Sequence, residues 1–175
     1  DPYLAGKMAA DFIRGAEEKG VATSLKHFAG NSQETKRFTS DSIIDERTLR
    51  EIYLTAFEIA VKEGRPETVM CAYNKINGIH CSDNERLLTD ILRKEWGHQG
   101  IVVTDWGAMN DRIEGFKAGC DLSMPGGSDY MEDDVAKAVR SGALAEEIID
   151  ENVNRMIELI LQSAARLQKD ATFDQ

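Results

Sequence analysis

The sequence has little cysteine and no long apolar run. Its 175 residues include three cysteines, Cys71, Cys81 and Cys120, an odd number without the spacing of a disulfide framework. This argues against a small secreted domain held by disulfides and favours a reducing compartment such as the cytoplasm. No apolar stretch approaches the roughly 18 residues of a membrane span, and no charged-then-apolar signal segment is present. We therefore expect no membrane partner.

Positive charge is also scarce. The chain carries 21 Lys and Arg against 31 Asp and Glu, for a net charge of −10, and the basic residues are scattered along helices among acids. Nucleic-acid binding requires a basic patch, so we expect no nucleic-acid partner. Cys71, His80 and Cys81 lack a second ligand pair and zinc spacing, so we expect no metal site. No cofactor is expected either.

What the sequence does contain is an alternation of strand and helix patterns. The hydrophobic patterns predict strands at 22–27, 68–73, 101–105 and 121–124, and helices at 2–19, 45–63, 84–96, 108–118, 129–141 and 145–168. Strands separated by helices of ten to twenty residues predict an α/β fold with parallel strands and right-handed crossovers. If such a sheet closes on itself, the fold is a barrel; if it stays open, the fold is a doubly wound sheet. The pattern of strands and helices alone leaves both folds possible.

The segment IVVTDWG delivers an acid and an aromatic residue to the end of a predicted strand. Its Val and Ile run is typical of a strand buried on both faces. In such sheets the chemistry lies at the carboxyl ends of the strands, so Asp105 is a candidate catalytic carboxylate. An aspartate here can also cap the following helix. This segment alone leaves both interpretations open.

Two other predicted strands end in the same manner. TSLKHFAG carries Lys26 and His27 at the end of an apolar run, where a lysine is unusual unless it faces a polar cavity. TVMCAYN ends with Met70 and Tyr73. Because the carboxyl ends of parallel strands meet at one edge, these polar and aromatic groups are expected to converge with Asp105.

Four ordered motifs carry a family resemblance: SLKHFAGNSQETKR, VMCAYNKINGIHCSDN, IVVTDWGAMNDR and DLSMPG. Together they resemble the first domain of family 3 glycoside hydrolases, which include many β-glucosidases and β-xylosidases. The resemblance covers nearly the whole chain and implies a TIM-type (β/α)8 barrel, which typically needs about 250 residues. With about four βα units, residues 1–168 are expected to form its C-terminal half, and residues 169–175 the start of an interdomain linker.

The resemblance implies hydrolysis of terminal β-D-glycosidic bonds with retention, with Asp105 as nucleophile. Lys26 and Arg37 are expected to favour its ionised form. The family's acid/base residue usually lies in a second α/β domain, so it is expected outside this chain, as is the missing barrel half. The family motifs also imply the substrate contacts. Three residues are expected to bind sugar hydroxyl groups, namely Lys26, His27 and Arg37. Three others are expected to line the sugar site, namely Met70, Tyr73 and Trp106. The loop AGNSQETKRF lacks the histidine of the N-acetylglucosaminidase branch, which favours a β-linked glucoside or xyloside as substrate.

Each contact residue also has a structural interpretation. His27 and Met70 are residue types that often belong to a core, and Arg37 can simply pair with Glu34 on a solvated loop. Lys26 could instead be a Schiff-base lysine of an aldolase-type barrel, but Asp105 and the lack of a Gly-rich phosphate loop argue against this.

For the chain as a whole, the alternative function is a non-catalytic carbohydrate-binding or self-assembling half-barrel fragment. Half a barrel leaves strand edges near Thr23 and Leu122 and an uncovered inner face. We therefore expect the isolated chain to self-associate.

Overall fold

The computed structural model describes residues 1–126 and 129–166. Its helices are α1 (Pro2–Glu17), α2 (46–64), α3 (Arg86–Glu95), α4 (Arg112–Ala118), α5 (Asp129–Ser141) and α6 (Glu146–Arg166). Its strands are β1 (Ser24–Phe28), β2 (Asp41–Ser42), β3 (Thr68–Cys71), β4 (Lys75–Ile76), β5 (Ile79–His80) and β6 (Ile101–Thr104). The six predicted helices are confirmed, with the largest shift at the start of α4. The predicted linker lies outside the described residues.

The first helix begins where the sequence predicts and packs closely on the second. Asp1 Oδ1 accepts hydrogen bonds from the backbone N–H groups of Tyr3 and Leu4, at 2.9 and 3.1 Å, with Pro2 in the first turn. Gly6 is buried in the contact with α2, where an added Cβ would lie 2.9 Å from Cβ of Ile59. A glycine is therefore needed for this close helix crossing.

The main sheet has the order β1-β3-β6, and all its strands are parallel. This confirms the predicted α/β fold with parallel strands in one sheet. The strand predicted at 121–124 is wrong, because only Leu122 forms a bridge, to Val103. On either side of this bridge, side chains accept hydrogen bonds from backbone N–H groups. Asp121 Oδ2 accepts from Val102 N at 2.7 Å, and Thr104 Oγ1 accepts from Met124 N at 2.8 Å. That the sheet is half of a barrel stays a prediction.

A second small sheet lies in two stretches for which the sequence predicts neither a strand nor a helix. Strand β2 runs parallel to β4, and β4 forms a hairpin with β5 through Asn77 and Gly78. Both turn residues have positive φ, 50° and 91°, as a two-residue hairpin turn requires. Strands of two residues are too short to leave a hydrophobic period in the sequence.

The core lies between the main sheet and the helices. Phe28 is fully buried and packs edge-on against Phe57 and Trp96, with ring centroids 5.1 and 5.8 Å apart. On β3, Val69 is buried whereas Met70 is partly exposed, so one face of this strand packs on helices and the other remains more open. No helix in the described part of the chain is both long and apolar enough to cross a membrane.

Candidate functional site

Backbone hydrogen bonds fix the loop that follows β6. The strand is buried along its whole length, which delivers Asp105 to the edge of the core. Asp105 N donates to the carbonyl oxygen of Cys71 on the neighbouring strand, at 3.2 Å. Gly107 N donates to the carbonyl oxygen of Met124, at 2.7 Å. The loop is therefore held from both sides, and Asp105 and Trp106 have defined backbone positions.

The Asp105 carboxylate lies at the carboxyl end of β6 and is 17% exposed. Its Oδ1 accepts a hydrogen bond from Trp106 N at 2.7 Å, and its Oδ2 lies 3.3 Å from His27 Nε2. The helix-cap interpretation is wrong, because Asp111 caps α4 by accepting from the N–H groups of Ile113 and Glu114. Asp105 is thus free of a helix-capping role.

Tyr73 lies beside this carboxylate. Its hydroxyl donates to the carbonyl oxygen of Trp106 at 2.8 Å, and the residue is 4% exposed. Burial is the main cause that raises the pKa of Tyr73, and the negative charge of Asp105 raises it further. The phenol therefore stays protonated next to the acid and ties the Asp105–Trp106 loop to the segment after β3.

Arg37 and Phe38 form an aromatic and cationic cluster with Tyr73. The Arg37 guanidinium carbon lies 4.5 Å from the Tyr73 ring centroid, and the rings of Phe38 and Tyr73 are 4.4 Å apart. Arg37 also pairs with Glu34, at 2.6 Å between Nη1 and Oε2, so the interpretation as a loop ion pair is confirmed alongside the stacking. Phe38 was not among the predicted contacts; an aromatic residue directly after Arg37 in a polar loop was its signal.

The remaining predicted contacts lie around the same end of the sheet with fewer interactions. Lys26 is exposed, Met70 is partly buried, and Trp106 is 61% exposed. Among the described residues neither Lys26 nor Arg37 pairs with Asp105; the basic side chain within reach is His27. An exposed lysine also lacks the desolvation that activates a Schiff-base amine.

Three other carboxylates that could compete with Asp105 have structural roles. Glu34 is 71% exposed and pairs with Arg37. Asp111 caps a helix, as described above. Asp121 has a fully buried side chain between Arg93 Nη2 at 2.6 Å and Arg155 Nε at 2.8 Å. Each of the three is engaged by partners that fix it for another purpose.

The cysteines near the site are not arranged as metal ligands. Cys71 and Cys81 are buried free thiols, and burial raises the pKa of Cys81 to about 12. A metal ligand must be a thiolate, which this burial disfavours. Across residues 1–126 and 129–166, no group of three or more His, Cys, Asp or Glu side chains is placed to hold a metal ion.

The sequence and fold of this chain are similar to those of known proteins. The thermostable beta-glucosidase B of Acetivibrio thermocellus is 49% identical over 174 residues, which cover 99% of this chain and 23% of that protein. An exo-alpha-(1->6)-L-arabinopyranosidase of Bifidobacterium longum is 48% identical over 170 residues, or 97% of this chain and 22% of that protein. The crystal structure of a Bifidobacterium adolescentis GH3 beta-glucosidase matches with a TM-score of 0.93 at 47% identity, over 99% of this chain and 26% of that one.

The chain therefore spans about a quarter of the length of these relatives. The family model described as the glycosyl hydrolase family 3 N terminal domain matches residues 1–159. By this match and these identities, the chain belongs to glycosyl hydrolase family 3.

Proposed function

We propose that this chain is the nucleophile-bearing part of a retaining β-glycosidase of the β-glucosidase type. The observation that carries the proposal is the setting of Asp105. Its carboxylate is fixed by Trp106 N at 2.7 Å, lies 3.3 Å from His27 Nε2, and remains partly open at the carboxyl end of a buried strand. A nucleophile needs this combination of a fixed orientation and an accessible oxygen.

In the proposed reaction, a carboxylate oxygen of Asp105 attacks the anomeric carbon of the terminal sugar. The bond from that carbon to the leaving oxygen breaks, and an acid donates a proton to the leaving oxygen. Water then attacks the anomeric carbon of the glycosyl-enzyme ester from the face that the leaving group left, opposite to Asp105. The former acid removes the proton of this water, the bond to the Asp105 oxygen breaks, and Asp105 is released. We propose that the acid lies outside this chain, because Glu34, Asp111 and Asp121 are held in other roles.

Around Asp105, the side chains present suit a pyranose, which has hydroxyls at its rim and apolar C–H faces. We propose that Lys26, His27 and Arg37 bind hydroxyl groups. Met70, Tyr73 and Trp106 would form the apolar lining, with Trp106 available because it is 61% exposed. The relatives named above are two β-glucosidases and an arabinopyranosidase, which supports a terminal pyranoside as the substrate class. We propose a β-linked glucoside or xyloside as the substrate of this chain's parent enzyme.

We further propose that the sheet is half of a (β/α)8 barrel in a parent enzyme, whose other segments provide the second half and an α/β domain with the acid. A chimeric enzyme tests this proposal and also the assignment of Asp105 as the nucleophile. The 175-residue chain would replace the matching segment of the Acetivibrio thermocellus enzyme. An active chimera supports the proposed place of this segment.

In the active chimera, Asp105→Asn should reduce turnover of an aryl β-glucoside by several orders of magnitude, because the amide cannot act as the nucleophile. Asp111→Asn is the matched control, since asparagine also caps helices well and turnover should change little. Adding azide to Asp105→Gly should restore turnover and give the α-glucosyl azide, because the small anion replaces the missing carboxylate. Near-normal turnover in Asp105→Asn would show that another residue is the nucleophile.

A further inference from the structure

A cavity of about 460 Å³ lies at the opposite end of the sheet from Asp105. Its lining includes Pro66 and Glu67, just before β3, and Gln99 and Gly100, just before β6. Asp105 follows the last residue of β6, so the length of a four-residue strand, about 13 Å, separates the two ends. Helix α6 completes the wall with Glu158 and other residues. The cavity is therefore distinct from the candidate functional site.

The walls of this cavity are well defined. Trp96 and Pro66 are buried apolar residues of the lining, and Leu159 adds an apolar side chain from α6. A Cβ on Gly100 would overlap the carbonyl oxygen of Glu67, so only glycine allows these two segments to approach as they do. The volume lies in the usual range of small-molecule sites.

Several polar groups of the lining have no partner in the described part of the chain. The Trp96 indole N–H is buried without an acceptor, in a residue that is 5% exposed. The charged ends of Arg65 and Glu158 make no hydrogen bond or ion pair with any of residues 1–126 and 129–166. By contrast, Lys62 pairs with Glu58 and Arg155 pairs with Asp121, so these two lining cations are already engaged. The lining carboxylate of Glu67 pairs with Arg166. The unpaired charges at the cavity are thus the Arg65 guanidinium and the Glu158 carboxylate.

His98 adds a neutral polar group to the same lining. The pKa of His98 is lowered to about 4, mainly by burial and further by the positive charge of Arg93. Its Nε2 lies 3.4 Å from the carbonyl oxygen of Ile101 and donates to it as the neutral ring does. The imidazole is therefore uncharged at neutral pH.

We propose that this cavity is a second binding site, separate from the Asp105 site, for a neutral mono- or disaccharide. An anionic ligand would meet the free carboxylate of Glu158, and a cationic ligand would meet Arg65. A sugar hydroxyl both donates and accepts, so neighbouring hydroxyls of one ring can bind Glu158 and Arg65 without a charge on the ligand. The apolar walls of Pro66, Trp96 and Leu159 suit the C–H faces of the ring. This site does not depend on Asp105 being a nucleophile.

The chain has two tryptophans, which gives a direct test. Replacing the other tryptophan in Trp106→Phe leaves Trp96 as the sole indole. Glucose and cellobiose are then titrated into this variant while tryptophan emission is followed. A saturable change in emission is expected. Glu158→Gln and Arg65→Asn should each weaken binding by about tenfold or more, as expected for the loss of a charge-assisted hydrogen bond. Arg65 has a left-handed backbone, with φ of 58°, and asparagine is chosen as its replacement because asparagine adopts this conformation more readily than most residues.

Matched controls decide which site is observed. Lys62→Ala, in the cavity lining but already paired, and Asp105→Asn, at the other end of the sheet, should leave the titration unchanged. Circular dichroism and thermal melting establish that each variant is folded, and Glu158→Gln alone suffices if Arg65→Asn is not. No saturable change up to molar sugar, loss of binding in Asp105→Asn only, or tighter binding of phosphate or glutamate than of sugar would each overturn the proposal.

Discussion

His27 and Asp105 meet across strand β3, with 3.3 Å between Nε2 and Oδ2. Strands β1 and β6 each pair with β3, so the two residues come from strands that have no hydrogen bonds with each other. With the Trp106 N–H on the other oxygen, both carboxylate oxygens have a neighbour that favours one orientation. The parallel topology therefore fixes the geometry of the candidate nucleophile.

Substitutions at Arg37 and Glu34 distinguish two roles of Arg37, which are binding of the sugar and pairing with Glu34 within the loop. In the chimera described above, Arg37→Ala should reduce kcat/KM by about tenfold or more, because a charge-assisted hydrogen bond to the sugar is lost. Glu34→Gln removes the ion-pair partner but leaves the guanidinium 4.5 Å from the Tyr73 ring, and should change kcat/KM little. Steady-state kinetics on an aryl β-glucoside measure both. Equal losses in the two variants would mean that Arg37 acts only through its loop ion pair.

The parts of this molecule that follow from sequence are those with a repeating signal. The order of helices and strands follows from hydrophobic periodicity, and the ends of β1, β3 and β6 follow from polar residues after buried runs. The short β2 pairing and the single bridge at Leu122 could not be predicted, because elements of one or two residues show no hydrophobic period and their backbone hydrogen bonds join distant segments. The same holds for Phe38, whose contact with Tyr73 joins two loops.

Asp121 is expected to be a major determinant of stability. Its buried carboxylate lies between Arg93 and Arg155 and also accepts from Val102 N at 2.7 Å. Asp121→Asn leaves two largely buried cations without their counter-charge, and should reduce the free energy of unfolding by about 3–5 kcal/mol. Asp90→Asn, which breaks an exposed pair with Lys94, should cost less than about 1 kcal/mol. Urea denaturation measures both; similar midpoints for the two variants would contradict this role.

The buried His98 is expected to make stability fall in acid. Its pKa in the folded chain is about 4, below the ordinary value of 6.5, because burial and the charges of Arg93 and Arg155 oppose protonation. Between these values the unfolded chain binds more protons, so stability rises with pH through this window. The contribution lost between pH 6.5 and 4 is about 3 kcal/mol. His98→Gln does not titrate, so its urea midpoint should change less over this window than that of the wild type. Parallel pH profiles would contradict the assignment.

We propose that the purified chain self-associates, with a second copy as partner. Helix α1 exposes an apolar stripe of Leu4, Met8 and Phe12, which are 57%, 66% and 76% exposed. Light scattering coupled to size exclusion should show dimers or larger species at micromolar concentration. Met8→Lys with Phe12→Lys should shift the chain towards monomer. The control, Asp11→Asn with Glu18→Gln, changes the net charge equally and should not. A concentration-independent wild-type monomer would refute the proposal.

The isolated chain should not hydrolyse disaccharides. Retaining hydrolysis needs an attacking carboxylate and a proton donor, and we propose that only the first, Asp105, lies in this chain. General acid assistance is typically worth about 10²–10⁴-fold, and an unactivated sugar leaving group depends on it. Cellobiose incubated with the chain should therefore release no measurable glucose.

A 2-fluoro dinitrophenyl β-glucoside places the two roles under separate tests, because its leaving group needs little protonation and its fluorine slows hydrolysis of the glycosyl-enzyme. Intact-mass measurement should reveal at most trace labelling of the chain, mapped to Asp105 by peptide mass spectrometry and absent in Asp105→Asn. Labelling at another carboxylate would redirect the nucleophile assignment. Robust cellobiose turnover would instead show that an acid lies within the chain, with Glu34 the first residue to test because it pairs with Arg37 beside Tyr73.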